Sequence, residues 1–320
     1  MFGRFKKDMT GNVRRKKPSF QSSAGFKLFL MSLPFLAATF VFNYLPLFGW
    51  SYAFFDYRVG FRLLDTPFVG LQHFMAPFEC RIARRDLVRV LQNTIGMSSI
   101  GLATSWLPMV FAIFLAELSS NKFRRSVQTI TTIPHFISWV LVYAIAFAMF
   151  SIGDGFVNRI LIQLGFIDQG INFLASRDRV WLSMWLYGTW KGLGWGAILY
   201  IAAMASIDAE QIEAATVDGA GRFRRIWHIT IPGLLPTFFV LFVLAVSNFF
   251  NTGFEQFFLF ENAMTRHRIE VLDLFIYNQG MVRGQLSYTT AVGMLRTFIS
   301  LILLFSANRM SKLVRGETVF

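Results

Sequence analysis

The sequence has few of the residue groupings that carry covalent chemistry or hold metals and nucleotides. Its single cysteine, Cys80, excludes an internal disulfide. The histidines are scattered and show no HExxH or paired spacing, which argues against a metal site. No phosphate-binding loop of the form GxxxxGKS or GxxxxGKT occurs. No pair of acids in the polar segments indicates general acid and base catalysis. These absences point away from an enzyme.

Charged side chains are also missing from several windows of about 20 residues, the length of an apolar helix that crosses a bilayer. The chain is 54% apolar and 17% aromatic. Helices are allowed in lipid because they satisfy their own backbone hydrogen bonds. We therefore predict an all-α integral membrane protein with six transmembrane helices. The predicted spans are residues 28–50, 90–118, 129–150, 181–204, 233–250 and 288–308.

The basic N-terminal segment resembles the start of a signal peptide but differs from one in two ways. The apolar run in residues 28–50 exceeds the usual signal core of about 7–15 residues, and no small-x-small cleavage site follows it. We therefore predict a retained first span. Residues 1–27 are predicted to form a basic cytoplasmic tail, and residues 28–315 a transmembrane domain.

The formal net charge of +13 is interpreted as a topology signal and not as a nucleic-acid footprint. Lys and Arg gather in the tail, in residues 119–128 and 205–232, and at the C-terminal end. Six spans place all four on one side, which predicts cytoplasmic termini. The contrast is imperfect, because the predicted external gap 51–89 holds arginines as well, but the first segment usually dominates.

The polar segment 205–232 predicts a docking element between two spans. Asp208 suits a helix N-cap and Gly219 suits the left-handed position that ends a helix. A second helix restarts through Phe223 and Trp227 and is predicted to stop at Pro232. A plain cytoplasmic connector is the alternative, although median loops are only about 4–6 residues long.

Residues 213–232, EAATVDGAGRFRRIWHITIP, resemble the EAA loop of binding-protein-dependent ABC importer permeases. The usual pattern is EAA, three residues, Gly, nine residues and I-x-L-P, and this chain departs from it once, with Ile231 in place of Leu. Other segments resemble the LplB-like, sugar-type permeases related to MalF and MalG. They are Tyr44–Trp50, Phe68–Phe74, Asn93–Thr94, Ile133–Trp139, Asn251–Gln256, Ser287–Gly293 and Ser306–Asn308.

The resemblance implies a type I ABC importer permease fold and a set of partners. These are a second permease in a heterodimer, two ATP-binding subunits and a periplasmic or extracellular solute-binding protein. ATP and Mg would be held by the ATPase, since this chain has no phosphate loop, and the chain itself would carry no cofactor. The implied coupling residues are Glu213, Ala214, Ala215, Asp218, Gly219, Arg222, Ile229 and Pro232.

Glu213 would pair with a basic group of the ATPase, and Gly219 would set the angle between two coupling helices. Arg222 and its basic neighbours offer a second interpretation, contact with lipid head groups. The expected location is the bacterial inner membrane.

Six residues within the spans are candidates for the substrate pathway: Trp185, Tyr187, Trp190, Lys191, Tyr200 and Arg296. Aromatic rings stack on sugars, but for any single ring packing or a membrane-interface belt is the favoured explanation. A charge inside a span usually faces a cavity or a partner, with snorkelling to the interface as the alternative. If Lys191 faces the pathway, it suits an acidic glycan such as a uronate oligomer. Gly192–Gly196 is interpreted as a site of close helix packing.

The predicted function is import of an oligo- or polysaccharide, with a uronate-containing chain as one candidate, by an ATP-driven transporter. An ABC permease for a non-sugar solute is one alternative. A membrane enzyme such as a glycosyltransferase is another, and it would need clustered acids or a metal motif at a span end.

Overall fold

The computed structural model describes residues 24–315, and within that range the only strand pairing is an isolated bridge between Phe55 and Phe68. Contacts divide the chain into two units, Met1–Tyr52 and Ala53–Phe320. Most of the predicted basic tail lies outside the described residues. The described part of the first unit is helical: α1 (Ala24–Thr39) passes through a π-helical turn (Phe40–Tyr44) into a 3-10 helix (Leu45–Phe54).

The second unit begins with a 3-10 turn (Leu63–Asp65), α2 (Gln72–Glu79), α3 (Arg81–Ala103) and α4 (Leu107–Ala116). The break between α3 and α4 follows from Pro108. Proline has no N–H to donate to the carbonyl of Thr104, four residues earlier, so the regular hydrogen-bond pattern is interrupted there. The amide of Leu107 bonds that carbonyl instead, at 3.0 Å. Residues 81–116 remain long and apolar enough to cross a membrane.

The predicted span 129–150 is not one continuous helix. The structure has α5 (Asn121–Phe136) and α6 (Trp139–Phe150), which meet at an angle of 105°. Pro134 removes a backbone donor near the end of α5. Ile137 is extended, and the Ser138 hydroxyl accepts from the Leu141 amide at 3.4 Å, which begins α6 in a new direction. The short helix α7 (Phe156–Gln163) follows.

The longest helix of the middle region is α8 (Val180–Met204), which packs against α4 and α5. The chain then turns by 78° into α9 (Ala209–Val217). After a glycine turn come α10 (Arg222–Arg225), a π-helical turn (Ile226–Thr230) and α11 (Ile231–Ser247), which together make one helix of 26 residues.

The predicted external gap 251–287 is a folded part of the core. It forms α12 (Phe254–Phe260), α13 (Arg266–Ile269), α14 (Leu272–Tyr277) and a π-helical turn (Asn278–Val282) before α15 (Leu286–Arg315). Ile269, Val271 and Leu274 are fully buried and pack with Met97 of α3 and Met184 of α8. The predicted spans leave this segment as a gap, and pattern alone does not reveal a short helix folded back onto the spans.

Polar side chains of α3 hold this segment in place. The Asn93 amide donates to the carbonyls of His267, at 3.0 Å, and Glu270, at 3.1 Å. The buried Thr94 hydroxyl accepts from the Leu272 amide at 2.8 Å. These bonds satisfy backbone groups that would otherwise be buried without partners.

In the described residues, four helices are long and apolar enough to span a membrane, and the number rises to six if each bent pair is counted as one span. The all-helical architecture agrees with the predicted fold class. The six-span boundaries stay a prediction, because α8 qualifies only together with α9.

Gly194 is a point of close approach between α8 and α5. A Cβ at this position would overlap the backbone of Thr131, whereas a Cβ at Gly192, half a turn away, would meet nothing within 4 Å. Gly196 similarly faces Pro108. The predicted close packing is therefore confirmed at Gly194 and Gly196 and does not extend to Gly192.

We expect Gly194→Ala to destabilise the protein by about 1–3 kcal/mol, because the added methyl group forces two packed helices apart. Gly192→Ala is the matched control and should be neutral or slightly stabilising, since alanine favours a helix. The measurement is the thermal unfolding midpoint of the purified protein. Equal midpoints for the two variants would contradict the assignment of the contact to Gly194.

Candidate coupling loop and transport cavity

The loop after α8 has the helix, turn and helix that its sequence predicts. The Asp208 carboxylate accepts from the Glu210 amide at 2.9 Å and so caps α9. Gly219 ends the helix with a φ of +77°, a conformation that side chains rarely adopt. The Ala220 amide reaches back to the carbonyl of Ala215 at 2.9 Å, which closes the turn.

Two arginines tie the halves of this loop together and to a neighbouring span. The Arg225 guanidinium donates to the Thr216 hydroxyl at 2.7 Å, across the glycine turn. Arg222 lies 3.8 Å from the carboxylate of Glu117, at the end of α4. Arg222 therefore lies next to an acid of its own chain. Its side chain is also exposed, so it can still contact a partner subunit or lipid head groups.

The predicted stop at Pro232 is wrong. The helix from Arg222 continues through the π-helical turn into α11, and Pro232 is the second residue of α11. A proline is tolerated at such a place when the carbonyl it would have bonded finds another donor, and the widened π-helical turn just before it changes that pairing.

The loop exposes both its motif residues and an apolar surface. Glu213, Ala214, Asp218, Gly219 and Pro232 are exposed, while Ala215 and Ile229 are half-buried. Three large side chains are exposed to an unusual degree: Val217 at 88%, Phe223 at 87% and Trp227 at 69%. We call these three the apolar trio. Their exposure was not predicted from sequence, although their position within a charged loop was a usable signal.

A cavity of about 460 Å³ lies between α3, α8 and the chain that joins α11 to α12. Its polar lining is made of hydroxyls and amides without any charged group. These are Ser98, Thr104, Ser105, Thr189, Asn248, Asn251, Thr252 and Gln256. The Thr252 hydroxyl is buried and has no hydrogen-bond partner within the described residues. Neutral hydroxyl and amide groups of this kind are suited to bonding the hydroxyls of a sugar.

Trp185 is the one predicted pathway residue that lines this cavity. Its indole N–H donates to the Thr104 hydroxyl at 3.0 Å, which fixes the ring beside Gly188. The segment 251–256 also contributes to the lining, and sequence reasoning had used it only for its family resemblance. An aromatic face beside polar groups is a common arrangement in ligand sites.

Four other predicted pathway residues have different surroundings. Tyr187 stacks on Phe260 with ring centroids 4.9 Å apart, and Tyr200 is 2% exposed in a core cluster with Leu234. Both positions fit the packing alternative. Arg296 forms an ion pair with Asp273 and so joins α15 to α14. Trp190 is 45% exposed and is absent from the lining of the cavity.

Lys191 closes the bend between α5 and α6. Its ammonium donates to the carbonyls of Pro134, at 3.2 Å, His135, at 2.7 Å, and Ile137. It also lies 5.5 Å from the ring centroid of Trp139. The three donors of the ammonium therefore satisfy the orphan carbonyls at a helix C-terminus, where positive charge is also favoured by the helix dipole.

Comparison with known proteins identifies the class of protein to which this helical architecture belongs. Residues 107–316 match the family described as binding-protein-dependent transport system inner membrane component. Protein LplB of Bacillus subtilis (strain 168) is 36% identical over 294 residues, covering 92% of this chain and 91% of the relative. The polygalacturonan/rhamnogalacturonan transport system permease protein YteP of the same organism is 35% identical, covering 92% and 90%.

A solved structure is also similar: a bacterial ABC transporter involved in the import of the acidic polysaccharide alginate. It has a TM-score of 0.82 and 30% sequence identity, and the match covers 91% of this chain and 96% of that one. A second structure, of a bacterial alginate ABC transporter in complex with an alginate pentasaccharide-bound periplasmic protein, has the same TM-score and identity.

The helical architecture and the matched loop thus define a multi-pass membrane transport subunit and not an enzyme. The chain belongs to the family of binding-protein-dependent transport system inner membrane components, the permeases of ABC importers.

We expect Lys191→Met to lower stability by about 1.5–3 kcal/mol, because it removes a charged donor from three partly buried carbonyls. Uptake of acidic and neutral oligosaccharides should fall together, since the defect is in the bend. Thermal unfolding and uptake by the reconstituted importer measure the two effects, with Lys191→Arg as the variant that retains donors. A loss confined to acidic substrates would instead support a direct role of Lys191 in the pathway.

Proposed function

We propose that this chain is one permease of a heterodimeric ABC importer that carries an acidic oligosaccharide across the bacterial inner membrane. Its partners are a second permease, two ATP-binding subunits and an external solute-binding protein. Both termini lie in the cytoplasm, so that the loop 205–232 faces the ATPase. ATP and Mg are bound by the ATPase and not by this chain.

The observation that carries the proposal is the exposed loop of α9, Gly219 and α10. Its caps and glycine turn hold two short helices in a fixed relation, and its surface combines Glu213 with the apolar trio. An acid beside exposed aromatic groups is suited to a cleft in a partner, where aromatic side chains supply most of the binding energy. A simple connector has no need of such a surface.

The substrate class is supported by the cavity and by the similar proteins. The neutral hydroxyl and amide lining beside Trp185 is compatible with sugar rings. The printed descriptions of YteP and of the similar structure name polygalacturonan/rhamnogalacturonan and alginate, and each of these includes uronate polymers. Together these observations favour an oligosaccharide that contains uronate residues over a neutral one.

In this proposal the chain acts by alternating access. The binding protein delivers the saccharide to the outer face, and ATP binding closes the two ATPase subunits. Closure draws the coupling loops of the two permeases together and rocks the spans about the cavity. The hydroxyl and amide lining replaces part of the hydration of the sugar, and Trp185 offers a face for stacking.

We expect Glu213→Lys to leave the protein folded and inserted but to reduce uptake by about tenfold or more, because a charge-assisted contact becomes repulsive. ATP hydrolysis by the assembled complex should continue without transport. Glu210→Lys, with the same charge change at an exposed site one turn earlier, is the control. Normal uptake by Glu213→Lys, or equal losses in both variants, would contradict the role given to Glu213.

We expect Phe223→Ser to weaken assembly with the ATPase, since burial of one phenylalanine contributes about 1.5–3 kcal/mol. The fraction of ATPase that copurifies with the permeases measures the effect. Phe61→Ser is the matched control, because Phe61 is 62% exposed and lies in the predicted external gap. Undiminished copurification with Phe223→Ser would remove the apolar trio from the docking surface.

A further inference from the structure

A second, larger cavity of about 1120 Å³ lies between the first turns of α3 and the segment 263–283. We call it the arginine basin. Its lining includes two acids, Asp86 and Glu270, against six arginines. The arginines are Arg81, Arg84, Arg85, Arg89, Arg266 and Arg283.

The acids of the basin are engaged by one arginine at its floor. The Arg89 guanidinium donates to the carboxylate of the buried Glu270 at 2.6 Å and lies 3.6 Å from that of Asp86. Glu270 also accepts from the Asn278 amide at 3.2 Å. On the opposite wall Arg266 is paired with Glu261 at 3.1 Å. Arg89 therefore has a structural role, and a substitution there would destabilise the protein.

Three arginines at the rim of the basin carry positive charge that no acid in the described part of the chain neutralises. Arg81, Arg84 and Arg85 are exposed, and no acid among the described residues lies within ion-pair distance of them. The nearby imidazole is affected by these charges as well. Burial, followed by the charges of Arg89, Arg177, Arg268 and Arg85, lowers the pKa of His267 from its usual value.

The type of basic residue is informative as well. Every basic residue other than histidine in the segments 51–89, 151–180 and 251–287 is an arginine, whereas all lysines other than Lys191 lie in the segments predicted to be cytoplasmic. The planar fork of arginine matches a carboxylate with two parallel hydrogen bonds, which lysine does not do. A basic cluster on the outer side also runs against the usual bias of basic residues toward the cytoplasm, so topology does not explain it.

We propose that the arginine basin is an external binding site for the carboxylates of the transported saccharide, which it captures before the chain enters the membrane. This inference rests on the proposed function for the outward orientation and the saccharide substrate. Arg81 and Arg85 are one helical turn apart, so their backbone positions are offset by about 6 Å along α3. An oligouronate carries a carboxylate on each ring, so successive carboxylates can contact successive arginines along α3.

The test is binding of a galacturonate tetramer and its methyl ester to the assembled importer without its solute-binding protein. The ester has the same rings and length but no carboxylate charge. The free acid should bind more tightly than the ester, and Arg84→Gln/Arg85→Gln should weaken binding of the acid by about tenfold while leaving that of the ester unchanged. Arg159→Gln, at an exposed arginine of α7 outside the basin, should behave as wild type.

Several outcomes would contradict the proposal that the arginine basin binds carboxylates. Unchanged tetramer binding in the double variant would do so, as would an equal loss for acid and ester, which would indicate damage to the fold. Unchanged tetramer binding with reduced copurification of phosphatidylglycerol would assign the arginines to lipid. Unchanged tetramer binding with reduced capture of the solute-binding protein would assign them to protein docking.

Uptake by the complete importer separates this inference from the function on which it rests. If the wild-type importer takes up the tetramer but the double variant binds it normally, the basin assignment fails and the proposed function stands. If the wild type imports neither the acid nor the ester, the proposed saccharide import itself is refuted, whatever the binding result.

Discussion

A backbone carbonyl or amide inside a bilayer has no water to bond, and each break in a spanning helix must be closed by a side chain or by another helix. This constraint accounts for most of the polar groups found among the apolar helices of this chain. Lys191 closes the carbonyls at the end of α5, and Thr94 accepts the amide of Leu272 at the start of α14. The bends and folded-back segments are tolerated because these groups satisfy the exposed backbone. The cavity beside Trp185 is lined instead by the break between α3 and α4 and by the chain between α11 and α12.

The local features of the coupling loop could be predicted because they depend on short-range chemistry. Asp208 caps and Gly219 turns for reasons that a few neighbouring residues determine. The stop at Pro232 was predicted wrongly because a proline can either end a helix or lie within a continuing one. The π-helical turn that allows the helix to continue is part of the tertiary structure and is not visible in the local sequence. The bend at Ile137 depends on Lys191, 54 residues away, and no local pattern reveals that contact.

The candidate pathway shows the same division. Trp185 lines the cavity, whereas Tyr187 is partly buried against Phe260 and Tyr200 is buried in a cluster with Leu234, although all three look equally suitable in the sequence. What distinguishes them is their tertiary surroundings, such as Phe260 of the folded segment 251–287. The basic residues near 81–89 were counted only as a complication of topology, because their meeting with Arg266 and Arg283 required the tertiary fold.

The single helix of residues 222–247 has a mechanical consequence. It joins half of the candidate coupling loop to a predicted span as one continuous helix, and at about 1.5 Å per residue it is roughly 39 Å long. α9, in contrast, meets α8 at a 78° corner. The two halves of the loop therefore connect to the spans in different ways: α9 through a corner, and α10 through a continuous helix. In the proposed mechanism, a displacement of Phe223 tilts this helix, whose far end lies beside Asn248 at the wall of the cavity.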